Sequence, residues 1–265
     1  MPTFLSKPVF GSKINCSHIP ANGLAGMWLF NQKAGTIADD SYAGNTGTLI
    51  GGATWETNPY GQGILFDGVS GTAVSVPELP FSRSYTIMLL LNSSTAGPSR
   101  DFQMVFSAGA GANYGPYMSV GANRVNVYSG TTGATWLDGT INVPNDTWNI
   151  VACHGSADGH AVWVNGILDS SNSSPSHTGS WDPGRDIGRR VDNGDVFSGR
   201  MAGVWIWNRV LSASEHAAII SDPFGMVRPR RVPIPLSLGI TPQQQWFDTN
   251  PITTIPNQRP VMIPY

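Results

Sequence analysis

The stretch Phe197–Asp222, FSGRMAGVWIWNRVLSASEHAAIISD, decides the reading of this chain. Met201–Asn208 is rich in β-branched and aromatic residues, and strand alternation sends Val204 and Ile206 to one face and Trp205 and Trp207 to the other. Both faces are apolar, so the tryptophans need cover from a terminal helix, an N-terminal strand or a partner chain; left open they would make an adhesive patch. Ser212 and Glu215 have the spacing of a capping box, in which each side chain satisfies a backbone donor at a helix start. Pro223 disfavours helical geometry in the residue before it, so the helix should end at Asp222.

Outward from this stretch, the totals point to an all-β protein. Apolar residues make up 40% of the 265, enough for a sizeable core, while 31 glycines and 20 prolines imply many turns. Charged residues are only 12%, about half the usual share of a globular domain. A net charge of −2 supplies no general attraction to nucleic acid or to anionic membranes. The two cysteines, Cys16 and Cys153, are too few for a disulfide framework and read as free thiols of a reducing compartment. The opening MPTFLSKPVFGSK has no apolar signal core, which leads us to expect synthesis in a cytoplasm.

In chain order, residues 1–22 read as an extended lead-in and 23–225 as the domain. Leu24–Phe30, Thr48–Ile50, Ile64–Asp67 and Thr72–Val76 are strand patterns, the last two joined by a glycine turn at Gly68–Gly71 that suggests a meander. Tyr85–Leu91 is a continuous apolar run, as in a strand buried on both faces. Phe102–Ser107, Tyr117–Val120, Arg124–Tyr128, Trp148–His154, His160–Val164 and Asp186–Arg190 follow with turns between them, the spacing of a sandwich. Asn165-Gly166 signals a two-residue type I′ hairpin. The expected core includes Leu24, Trp28, Leu65, Phe66, Ile87, Leu89, Val105, Trp148, Ile150, Val162, Val164, Val204 and Ile206. Residues 226–265 carry eight prolines and no periodicity, which reads as an extended arm unable to build a core of its own.

Six motifs, in order, resemble laminin-G-like domains of the concanavalin A-like superfold: GLAGMWLF (23–30), DSYAGNTGTL (40–49), GQGILFDG (61–68), TWNIV (147–151), VWVNG (162–166) and the opening stretch from Phe197. The resemblance spans roughly Ile14 to Arg231 and implies a two-sheet antiparallel jelly-roll sandwich closed by one short helix. At Ala202-Gly203 this chain lacks an acidic residue the family usually carries. INCSHIPANGLAGMWLF and SDPFGMVRPRR more narrowly resemble laminin-G-like proteins of tailed bacteriophages.

The chemistry of such sandwiches is glycoside cleavage, calcium binding or glycan binding. Cleavage needs two carboxylates flanking a sugar, yet the only glutamates, Glu56, Glu78 and Glu215, are scattered, and Asp182/Asp186 and Asp192/Asp195 fall in loops. The five histidines have no metal spacing, and no nucleophile elbow, P-loop or C-x-x-C occurs. We therefore expect no catalysis. Calcium candidates are Asp67, Asp192 and Asp195, hard oxygen ligands at turns where Asx residues also serve without any metal. Glycan binding needs an aromatic platform, for which Tyr114, Tyr117, Trp136 and Trp181 are the candidates.

Two functions follow as expectations. The resemblance at both ends and the missing carboxylates favour a non-enzymatic virion structural protein, a capsid decoration protein attached through its arms. The alternative is a tail-associated lectin-like adsorption module for a host surface polysaccharide. In the arm, Arg228, Arg230 and Arg231 suit an acidic protein surface, and Trp246, Phe247, Ile252, Ile255, Val261, Met262 and Ile263 are spaced anchors. The partners implied are capsid or tail proteins of the same particle, further copies of the chain, or a glycan, with neither nucleic acid nor membrane.

Overall fold

The computed structural model describes residues 7–79, 83–95, 102–109, 114–130, 136–174, 184–192 and 194–227. Among them the first strands are β1 (Leu24–Trp28), β2 (Ile37–Ala38), β3 (Gly47–Ile50), β4 (Thr54–Asn58), β5 (Gly61–Asp67), β6 (Ala73–Val76), β7 (Tyr85–Ser93) and β8 (Gln103–Ala108). There follow β9 (Tyr114–Gly121), β10 (Arg124–Gly130), β11 (Leu137–Asp138), β12 (Trp148–Ser156), β13 (Gly159–Val164), β14 (Ile167–Asn172), β15 (Arg185–Ile187) and β16 (Ser198–Trp207), then the helix α1 (Ala213–Ser221).

The strands form two antiparallel sheets. The first runs β14-β13-β12-β7-β16-β5-β4, and β1 lies beside the second half of β16; the other runs β11-β10-β9-β8-β15-β6-β3-β2. Their facing surfaces make the sandwich core, with Ile87, Leu89, Val204 and Ile206 of the first sheet meeting Val74, Phe106, Met118 and Val125 of the second. All nine residues of β7 are buried because it lies between β12 and β16, with one face to this core and one to a second cluster.

That second cluster explains Trp205 and Trp207, both wholly buried. Leu24, Leu211, Ile219, Phe224, Met226 and Val227 pack with them, and the Trp207 indole N–H donates to the Pro20 carbonyl at 2.6 Å. Cover is intramolecular, so these indoles form no exposed patch. Met226 and Val227 belong to this cover, placing the expected division at Met226 inside the layer; Asn15 N–H also donates to the Met226 carbonyl. The capping box is complete, since Ser212 accepts from the Glu215 N–H and Glu215 from the Ser212 N–H, and Asp222 caps the helix end. Gly203 sits at a register shift of β16 where a Cβ would come within 2.6 Å of the Trp205 ring. Buried Trp205 thus accounts for the small residue where the family usually has an acid.

Three expectations are corrected. β5 and β6 form no meander, because the Gly68–Gly71 link crosses between sheets; even spacing does not distinguish a hairpin from a crossover. Leu65 is only half-buried and points out, as alternation requires once Ile64 and Phe66 both face the core. Leu24, Trp148 and Ile150 belong to the outer cluster rather than the sandwich core. The Asn165-Gly166 hairpin forms as expected, with φ of 50° and 81°.

Candidate functional site

The outer face of the second sheet carries the chemistry. Antiparallel partners share a face, so register places Thr48, Ser75, Asp186, Ser107, Tyr117 and Tyr128 in one row across β3, β6, β15, β8, β9 and β10. A second row holds Met104, Ser119, Asn126 and Asp138. The same strands send Val74, Ile187, Phe106, Met118 and Val127 inward, so the core fixes which residues line this face.

One end of the face is an aromatic ridge. Tyr117 and Tyr128 stack with centroids 6.1 Å apart, Tyr128 meets Trp136 at 5.4 Å, and Trp136 meets Phe102 at 5.1 Å. Tyr117 is the buried root, its hydroxyl donating to the Gly109 carbonyl at 3.0 Å. Tyr128 and Trp136 are half-buried and Phe102 is 37% exposed, so the ridge opens to solvent at its outer end. Beside it the floor is polar but buried. Asp186 accepts from Arg189 Nε at 2.6 Å, Ser107 donates to the Arg189 carbonyl, and Ser119 Oγ is buried with no hydrogen-bond partner.

Tyr117 and Trp136 are therefore brought together, joined by Tyr128 and Phe102, which sequence reasoning missed. Tyr128 ends an expected strand and Phe102 begins one; only the register of β9 on β10 shows that they share a ridge. The Tyr114 side chain, Trp181, and the arm residues Arg228, Arg230, Arg231, Trp246, Phe247, Ile252, Ile255, Val261, Met262 and Ile263 lie outside the described residues.

The calcium candidates are engaged in turns. Asp67 accepts from the Val69 N–H at 2.9 Å and the Thr72 hydroxyl at 2.6 Å. Asp192 and Asp195 hold Arg190 at 2.7 and 2.8 Å, and the hydrogen bond from Arg190 keeps the Asp192 carboxyl below its ordinary range. Among the described residues no group of three or more His, Cys, Asp or Glu is placed to hold a metal ion.

Within the strands of the outer face the carboxylates are Asp138 and Asp186, the latter in β15 rather than a loop. They stand four strand positions apart, about 19 Å at ~4.8 Å per strand. A glycosidase pair requires about 5–9.5 Å. Glu56 pairs with Arg200 and Glu215 with Arg209, both away from this face.

A family model described as the concanavalin A-like lectin/glucanases superfamily, of laminin-G type, matches residues 66–215, more than half of the chain. Among solved structures, domain 4 of an extracellular arabinanase from Geobacillus stearothermophilus, in complex with arabinotriose, is similar at 18% identity and TM-score 0.59. It is covered over 98% of its length, and 74% of this chain is matched. Trypanosoma rangeli sialidase matches at 18% identity and TM-score 0.60, over 84% of this chain but 37% of its own. The binding domain of Paraclostridial mosquitocidal protein 1 matches at 13% identity and TM-score 0.59, over 75% of this chain and 52% of its own. At these identities the likeness is one of fold. A search of curated proteins finds no match.

Proposed function

The chain belongs to the concanavalin A-like lectin/glucanases superfamily, and from that premise we propose that its sandwich is a non-enzymatic carbohydrate-binding module. The observation that carries the reading is the Tyr117–Tyr128–Trp136–Phe102 ridge, open to solvent at its outer end, with exposed Asp138 close by. Sugar rings have an apolar C–H face that packs on aromatic rings and a rim of hydroxyls that needs donors and acceptors. The ridge supplies the first, and the exposed carboxylate of Asp138, two residues from Trp136, supplies an acceptor for the second. The arabinotriose complex of the arabinanase domain is in keeping with sugar recognition on this fold, though fold likeness alone is an analogy. The distance between Asp138 and Asp186 supports binding without cleavage.

A glycan array probed with the full chain tests this. Signal for a defined oligosaccharide, with no release of reducing ends on prolonged incubation, is the expected result. An array without signal overturns the binding role, and released reducing ends overturn the non-enzymatic one.

A second reading concerns where the module works. Residues 226–265, with eight prolines, have the composition of an attachment arm, which supports a structural protein of a phage particle that displays the sandwich, as capsid decoration or at the tail. Copy counting by mass spectrometry of purified particles tests it: many copies support decoration, few support a tail module, and none removes both.

A further inference from the structure

The end of the sandwich where β16 begins holds a cleft of about 290 Å³ that the ridge does not use. Ser93, Ser94 and Thr95 at the end of β7, Gln103 at the start of β8, Asn123 in the β9–β10 turn and Asn145 before β12 supply its polar lining. We propose that this cleft is a second, independent site for one neutral sugar residue.

Its walls are built before any ligand arrives. Ser93 Oγ donates to Asn145 Oδ1 at 2.9 Å, and Asn145 Nδ2 donates to Asn123 Oδ1 at 3.1 Å. Gln103 Oε1 accepts from the Ser198 N–H at 3.0 Å, and the Val143 N–H donates to the Asn123 carbonyl at 2.6 Å. The chemistry of the lining decides the ligand class. Among the described residues the lining side chains are uncharged hydroxyls, carboxamides and small apolar groups, and the Asp146 carboxylate reaches the rim only through Thr95, whose hydroxyl donates to it at 3.4 Å. Carboxamides present a donor beside an acceptor, and hydroxyls present both, a set that matches the vicinal hydroxyls of a sugar. The volume falls at the small end of ligand sites, which suits one ring rather than a chain.

Turn geometry fixes one wall of the cleft. Ala122 and Asn123 have φ of 48° and 60°, and Asp146, next to Asn145, has φ of 56°. These are three of the six non-glycine left-handed residues among the described residues. In Ala122 and Asn123 this is the conformation that both central residues of a two-residue type I′ hairpin take, in this chain at the turn from β9 to β10. Here it aims the turn that carries Asn123 at the cleft.

The test is amide-resolved NMR of the full chain titrated to tens of millimolar with the methyl glycosides of glucose, galactose and mannose, and with N-acetylglucosamine. At least one should shift the amides of Ser94, Gly121, Asn123 and Asn145. Trp136→Ala should leave those shifts unchanged, which separates this site from the ridge. Asn123→Gly, which removes the carboxamide and relaxes the turn, and Thr95→Phe, which fills the cleft, should each weaken the response at least tenfold. The site is overturned if none of the four sugars moves these amides, or if both variants titrate like the wild type.

Discussion

Asp40 holds the loop 40–45 onto β1 with one buried carboxylate. It accepts from the backbone N–H groups of Met27, Tyr42, Ala43 and Asn45 and from the Asn45 side chain, at 2.9–3.1 Å. Asn45 in turn accepts from the Trp28 indole through its carbonyl and donates to the Ala25 carbonyl. Charge-assisted bonds are worth about 1.5–3 kcal/mol each, and donors left unmade in the interior cost more than the bond gained. Asp40→Ala should therefore lower unfolding free energy by about 3 kcal/mol or more in urea titration, and a loss under 1 kcal/mol would show that water replaces the carboxylate. DSYAGNTGTL was legible as a family motif, but that one side chain serves five donors was not, because the donors come from two separated segments.

At the scale of elements, the helix and the sheet beneath it form an acid-sensitive contact. The His216 ring lies flat on Trp163, centroids 4.2 Å apart, with both its nitrogens buried and unpartnered, and the His154 ring lies 6.3 Å from Trp163 in a tilted arrangement. Burial holds His216 and His154 at about 4, below the ordinary 6.5; the charge of His154 adds to the effect on His216 and that of His160 to the effect on His154, while Glu215 opposes it at His216. Between pH 6.5 and 4 the unfolded chain binds protons that the folded one excludes, so stability is full above 6.5 and falls as pH drops toward 4. Glu215, held at about 2 chiefly by its hydrogen bond from Arg209, adds stability above its ordinary 4.5 that is lost as pH falls further toward 2. His216→Phe keeps the stack and removes one titration, so its melting temperature should fall less than the wild type's from pH 6.5 to 4; parallel curves would contradict this. Sequence showed the helix, its cap and both faces of β16. It missed β4 and the two-residue β2 and β11, because TWETN has no apolar alternation and two residues carry no period.

For the whole molecule, the stability is expected to rest on the two clusters. Val204→Asp and Ile206→Asp each put an unpaired charge into the core and should prevent folding. Deleting residues 232–265 should leave the melting temperature within about 1–2 °C, since a segment with eight prolines among residues 226–265 and no periodicity has little means of building a core. If the arm attaches the module to a particle, the same deletion abolishes incorporation; normal incorporation would remove that role. The fold was readable because strand period and glycine turns write it locally. The ridge was only half readable, since Tyr117 and Trp136 declare themselves as aromatics near loops while their union with Tyr128 and Phe102 depends on register between strands.

The central claim is that the aromatic ridge binds sugar. Its most direct measurement is the affinity of wild type and Trp136→Ala, at matched melting temperature, for the glycan with the strongest array signal. Loss of a half-buried ring that touches both Tyr128 and Phe102 should weaken binding at least tenfold, about 1.4 kcal/mol. Equal affinity in the two proteins would mean that the sugar sits elsewhere and that the ridge is only packing.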